Sequence, residues 1–189
     1  DTNGDGVITT SLDGTALPWG QDDCVAWSTN LNGVMPNGKI RAVAAQDIID
    51  PVTGDVTEYV WVGGYNDRVV SQVDGATGAI LMTTFVQYHP YGFAFDGTGG
   101  LWMSTIHDGY VVRVDTERCN SDVGCPWAGV CVDGSNSNAC EGAIKWAIRA
   151  PNNNRPYGIT VDREQRVWVG GNSDVQSFDR RRMPNQRWT

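Results

Sequence analysis

Apolar and polar positions alternate along most of the chain, and the alternation repeats. From His89 to Asp115 the sequence reads HPYGFAFDGTGGLWMSTIHDGYVVRVD, and from Arg155 to Asp179 it reads RPYGITVDREQRVWVGGNSDVQSFD. Each segment opens with Pro-Tyr-Gly and continues as an alternating strand ending in Asp, at Asp96 or Asp162. A short turn leads to a strand centred on Trp102 or Trp168, and a second turn to a third strand that again ends in Asp. Period-two alternation broken by Asp-Gly and Gly-Gly turns predicts an antiparallel meander. A more divergent copy precedes these two, with strands at Ile40 to Ala45, Glu58 to Gly64 around Trp61, and Arg68 to Asp74. Fourth strands are expected at Ala79 to Val86 and at Ala143 to Arg149. Asp23 to Leu31 reads as the fourth strand of a preceding unit.

The spacing supports one architecture. Pro36, Pro90 and Pro156 mark the starts of the three units and lie 54 and 66 residues apart. Setting aside insertions at 48–57 and 119–140, both intervals become 44 residues. Four strands in such an interval is the spacing of a β-propeller blade. The expected fold is therefore all-β, a β-propeller of four-stranded antiparallel blades at about 36–86, 90–149 and 156–189. Residues 1–22 precede the propeller segment (23–189) as a loop and linker. Propellers close with typically about four to eight blades, so the chain is expected to be a fragment of a larger ring, continued in the same polypeptide or by other chains. Its start at Asp1 rather than Met fits that expectation. Alternation turns Phe93, Phe95, Trp102, Ile159, Val161 and Trp168 toward the spaces between blades.

The motifs Pro-Tyr-Gly-Phe-Ala-Phe-Asp…Leu-Trp-Met-Ser (90–104) and Pro-Tyr-Gly-Ile-Thr-Val-Asp…Val-Trp-Val-Gly (156–170) resemble the repeats of NHL-type and virginiamycin B lyase-like propellers. The resemblance runs from about Pro36 to Asp179, without the insertions. It implies the propeller fold and leaves activity open, because such scaffolds carry unrelated functions. In the lyase-like branch it implies a catalytic His with acidic groups at one end of the central channel. Here His89 and His107, the latter beside Asp108, are the histidines available, and no Glu stands in a comparable loop. Related metal-dependent lactonases imply a Glu, Asn and Asp set, for which Asn66, Asp67, Asn172 and Asp174 follow the Trp strands. His107 and Asp174 are the catalytic candidates on an enzymatic reading.

Composition narrows the classes. The 189 residues carry a net charge of −8 and no basic stripe before the cluster Arg180, Arg181, Arg182 and Arg187, so a phosphate-tracking nucleic-acid binder is disfavoured. No apolar run reaches the roughly 18 residues of a membrane span. Cys119, Cys125, Cys131 and Cys140 fall in a Gly/Ser/Asn/Asp-rich segment without apolar periodicity of its own. Their x5, x5 and x8 intervals suit two disulfides better than the paired Cys-x2–4-Cys of structural zinc. Disulfides would place the chain in an extracytoplasmic, oxidising compartment: periplasmic, cell-surface or secreted. Cys24 is left over.

The opening residues, DTNGDGVIT, match the start of an EF-hand-type calcium loop. Asp1, Asn3, Asp5, Thr9 and Asp13, with the Val7 carbonyl, are the candidate ligands of a structural Ca2+. The match fails at position 12, which is Leu12, and an Asx-rich turn without metal is the other reading. No nucleophile triad, phosphate loop or dinucleotide fingerprint is present. The leading functional expectation is a binding or structural module that meets a protein partner or other subunits of an assembly through its insertions. The alternative is a lyase- or lactonase-type enzyme with a metal-assisted site at the channel.

Overall fold

The computed structural model describes residues 4–12, 14–18, 21–116, 144–150 and 155–179. Eleven strands are present in this part of the chain, and no helix. The first sheet is a meander of β1 (Ile40–Ile49), β2 (Val56–Gly64), β3 (Val69–Asp74) and β4 (Ile80–Phe85). The second repeats it with β5 (Gly92–Phe95), β6 (Gly100–Thr105), β7 (Tyr110–Asp115) and β8 (Ile144–Arg149). The third contains β9 (Gly158–Val161), β10 (Arg166–Gly170) and β11 (Val175–Asp179). Residues 180–189 of the expected third blade lie outside the described residues.

Register places the Trp of the second strand equivalently in the three units. Trp61 pairs with Ala44 and Gln72, Trp102 with Ala94 and Arg113, and Trp168 with Thr160 and Ser177. The outer strands share an irregularity. The ladder shifts between Gln72 and Val73 in the first sheet and between Arg113 and Val114 in the second. One extra residue, Leu81 or Lys145, is thereby accommodated on the fourth strand. A bulge at an edge strand bends and twists it, which discourages pairing with other chains.

Successive sheets stack face to face. Trp61, Val70 and Ala42 of the first sheet meet Phe93, Leu101, Met103 and Val112 of the second. Trp102 and Val111 of the second meet Val167, Val169 and Phe178 of the third. Each fully buried large side chain contributes about 1.5–3 kcal/mol. The first strands of the sheets adjoin, β5 lying between β1 and β9. This radial stacking with the first strands innermost is the propeller arrangement, in accord with the sequence expectation.

Two expectations need correction. Asp23 to Leu31 forms no strand. Instead Leu31 and Met35, with Trp27 beside them, cover Val62 and Val73 on the free face of the first sheet. Trp27 donates its indole N–H to the Gly75 carbonyl at 2.6 Å, and the Thr29 hydroxyl bonds the Gly78 carbonyl. The segment is fastened by side chains to the β3–β4 turn rather than by a backbone ladder. The first strand also runs past Ala45 to Ile49, and Ile48 and Ile49 pair with Thr57 and Val56. The 48–57 stretch lengthens the β1–β2 hairpin, which is closed by the Asp50–Asp55 turn. On the last described sheet Trp168 is half-buried, whereas Trp61 and Trp102 are completely enclosed.

Candidate functional site at the blade-entry end

In an antiparallel meander the start of strand one, the two–three turn and the end of strand four emerge at the same end. This blade-entry end gathers residues that are distant in sequence. His89 closes the β4–β5 crossover, while His107 and Asp108 occupy the β6–β7 turn. Asp108 accepts the His89 backbone N–H at 2.6 Å, and its carboxylate lies 3.0 Å from His89 Nδ1. On the other side of the ring, Arg68 donates Nε–H to His89 Nε2 at 3.0 Å. With Nε2 accepting, the imidazole proton sits on Nδ1 and is donated to Asp108. The exposed His107 ring stacks on His89 with centroids 4.8 Å apart.

Aromatic contacts continue from this pair. Tyr65 meets His89 at 5.1 Å and Tyr91 at 6.0 Å, and Tyr91 meets Tyr157 at 4.5 Å. Arg41, exposed at the start of β1, holds its guanidinium 5.5 Å from the centre of the Tyr91 ring, within cation–π range. The hydrogen bond with Tyr157, together with burial, pushes the Tyr91 hydroxyl above the ordinary phenol range, so it stays neutral. The result is a contiguous, partly exposed strip: Tyr157, Tyr91, Tyr65, His89 and His107, with Arg41 and Arg68 on it.

Two backbone positions on this end are strained. Among the described residues, three non-glycine residues have φ in the left-handed region, and two of them are Lys39 (61°) and Arg68 (54°). Such conformations cost of order 1–3 kcal/mol each and cluster at functional sites. The third, Gln165 (65°), has an evident structural use, since its side chain accepts the Gly97 N–H across two sheets. Lys39 and Arg68 present long cations where glycine would fit more easily.

The two ends differ in charge. The entry end carries Lys39, Arg41, Arg68, Arg149 and Arg155 against Asp67, Asp108 and Asp174. At the opposite end, the three sheets place Asp47, Asp50, Asp55, Glu58, Asp74, Asp96, Asp115, Asp162, Glu164 and Asp179 against Arg113, Lys145, Arg163 and Arg166.

The structure brings the two histidines together, which their different repeat positions did not suggest. Asp174 sits exposed in the β10–β11 turn, and nothing joins it to His107. Asp67 accepts the backbone and side-chain N–H groups of Asn37, and Asn66 donates to the Asn37 carbonyl at 2.9 Å. That pair is spent on pinning the turn before β1. Asn172 lies exposed near Asp174. Of the calcium candidates, Asp5 accepts the Val7 N–H at 2.8 Å, as an Asx turn does, and the Thr9 N–H is donated to Asp23 at 2.7 Å. Asp1, Asn3 and Asp13 lie outside the described residues, as do Cys119, Cys125, Cys131 and Cys140. Cys24 is an exposed free thiol. Among the described residues no three His, Cys, Asp or Glu side chains are grouped to hold a metal, and no helix is long and apolar enough to cross a membrane. The tyrosines and Arg41 were not among the expected site residues, although Tyr91 and Tyr157 stand inside the repeated Pro-Tyr-Gly.

No family model and no curated protein matches the sequence. Solved structures resemble its fold. Virginiamycin B lyase from Staphylococcus aureus aligns with a TM-score of 0.48 at 13% identity, over 79% of this chain and 54% of that one. A protein of unknown function from Bacteroides caccae aligns at 0.44 and 10% identity, over 79% and 44%. BamB from Moraxella catarrhalis aligns at 0.41 and 14% identity, over 76% and 42%. The chain spans about half the length of the solved proteins it resembles.

Proposed function

We propose that the chain is part of an extracytoplasmic propeller that serves as a binding module, engaging a protein partner in a larger assembly through its blade-entry end and performing no catalysis there. The observation that carries this reading is the engaged state of His89. A general base needs a ring nitrogen free to take a proton from substrate. Here Nδ1 faces Asp108 and Nε2 faces the Arg68 guanidinium. The His–Asp pair thus fixes the crossover to the β6–β7 turn and orients Arg68. Around it lie partly exposed tyrosines and arginines, the residue types enriched in protein interfaces. A calcium ion on the Asp1–Asp13 loop, and disulfides among the four clustered cysteines, would be structural in this reading.

Site-directed crosslinking tests it. A photoreactive amino acid at position 157, on the entry end, should capture a discrete protein partner in extracts of the native host. The same group at position 77, on the opposite end, should not. Equal capture from both positions counts against the entry end. Lyase or lactonase turnover that disappears in His89→Ala would establish the enzymatic reading instead.

A further inference from the structure

We infer that the blade-entry end recognises an acidic polypeptide segment, with Arg41, Arg68 and Lys39 meeting its carboxylates and the Tyr157–Tyr91–Tyr65 strip forming the floor beneath it. The inference rests on the entry-end reading above and adds the chemistry of the partner. Charge complementarity supports it first. In a chain of net charge −8, the entry end carries five cations against three acids among the described residues, while acids crowd the other end. Two of the three acids on the entry end are already occupied, Asp67 by Asn37 and Asp108 by His89. They oppose an incoming carboxylate less than free acids would.

The cations are also presented for use. Arg41 is exposed, lies over Tyr91, and makes no hydrogen bond or ion pair among the described residues. A guanidinium held against a ring keeps its forked donors directed outward for a carboxylate. Arg68 spends Nε on His89, which orients the rest of its guanidinium. Lys39 and Arg68 both sit at left-handed backbone positions. From Tyr157 to His107 the ring-to-ring path is about 20 Å along its contour, the reach of about six extended residues. A polyanionic nucleic acid fits less well, because it would need a continuous basic track and would meet the field of the acidic chain.

Fluorescence anisotropy with defined probes decides the matter. The probes are a labelled hexapeptide of Glu and Asp with one central Tyr, its counterpart with Lys in place of the acids, and a ten-residue oligo-dT. The acidic peptide should bind, and binding should weaken as salt is raised from 50 to 300 mM. Arg41→Glu should reduce affinity by about tenfold or more, since reversing a charge that meets its complement adds repulsion to lost attraction. Tyr157→Ala should reduce it severalfold, and Thr57→Ala, at the opposite end, should leave it unchanged. Circular dichroism checks that each variant is folded, and Arg41→Gln replaces Arg41→Glu if the reversal disturbs folding. Equal binding of the Lys peptide or of oligo-dT, an unaltered affinity in the folded Arg41 variant, or no binding of the acidic peptide at millimolar concentration would overturn the inference. Should crosslinking from position 157 succeed while the acidic peptide fails, the partner chemistry falls and the entry-end reading stands. Should both fail, both fall.

Discussion

The second and third sheets carry the same motif in different surroundings. In both, the Trp of the second strand donates its indole N–H to the Asp that ends the first strand: Trp102 to Asp96 at 2.9 Å, and Trp168 to Asp162 at 2.8 Å. In both, an arginine Nε–H bonds the same carboxylate oxygen at 2.7 Å, from Arg113 or from Arg166. In the first sheet Gln46 accepts the Trp61 N–H in the same register. Yet Trp102, Asp96 and Arg113 are enclosed by the third sheet, whereas Arg166 keeps 41% of its side chain exposed and lies over a half-buried Trp168. The motif builds the local clasp, and the neighbouring blade determines what the clasp is worth. A buried ion pair whose partner is removed leaves an uncompensated charge, whereas a solvated pair loses little.

The largest effect follows directly. Asp96→Ala removes the buried carboxylate that Arg113 bonds and the acceptor of the Gly100 N–H and the Trp102 indole. It should destabilise the chain by about 3–5 kcal/mol. Asp162→Ala removes the same kind of partners at the open edge and should shift the urea midpoint far less. Comparing the two midpoints checks the argument, and equal shifts would show that the neighbouring blade contributes nothing to the clasp.

Acid titration sharpens the same contrast. Burial by itself raises the Asp96 pKa, but hydrogen bonds and charge from Arg113 and Thr98 more than reverse it and hold the carboxyl well below its usual 3.8. Asp162 is also held low, chiefly by the Trp168 N–H. A carboxyl with a depressed folded-state pKa stabilises the fold above its unfolded value, and this contribution is lost as pH falls toward the folded one. Urea midpoints should therefore be flat near neutrality and fall below pH about 4. Asp96→Asn should remove more of that acid dependence than Asp162→Asn does.

These contrasts also mark what the chain discloses before folding. Strand positions were legible because alternation is local, and the Trp strands were legible because they repeat. The failure at Asp23 to Leu31 is informative. Val25, Trp27, Thr29 and Leu31 alternate as a strand would, but the segment lies over the sheet face and is fixed there by Trp27 and Thr29 side chains. Periodicity reports which side chains are buried, not whether a backbone partner is within reach. The bulges at Leu81 and Lys145 left no mark, since one extra residue in a short strand looks like any other. The entry-end cluster was hidden for a topological reason: His89 and His107 belong to different connections that meet only because the meander returns to the same end. The acidic clasp was visible as a recurring terminal Asp, but its bond to Trp depends on cross-strand register, which spacing alone does not supply.

The smallest expected effect concerns the glycine of Pro-Tyr-Gly, where two identical tripeptides meet different neighbours. Neither Gly92 nor Gly158 has a positive φ, so backbone conformation does not demand glycine at either site. Space does at one of them. A Cβ on Gly92 would lie 2.9 Å from Ser104 Oγ and 3.3 Å from both the Tyr157 carbonyl and Ile159 of the third sheet. The Ser104 hydroxyl cannot yield freely, because it donates to that Tyr157 carbonyl at 2.8 Å and so ties the second sheet to the third. A Cβ on Gly158 would meet nothing within 4 Å. Gly92→Ala should thus break the inter-sheet hydrogen bond and cost about 1–3 kcal/mol, as overpacking does. Gly158→Ala should be neutral or stabilise by up to about 1 kcal/mol through the unfolded chain. Paired denaturation curves test the difference. If Gly158→Ala proved as damaging as Gly92→Ala, the face of the third sheet would be covered in solution, and the contrast between an enclosed and an open blade would have to be abandoned.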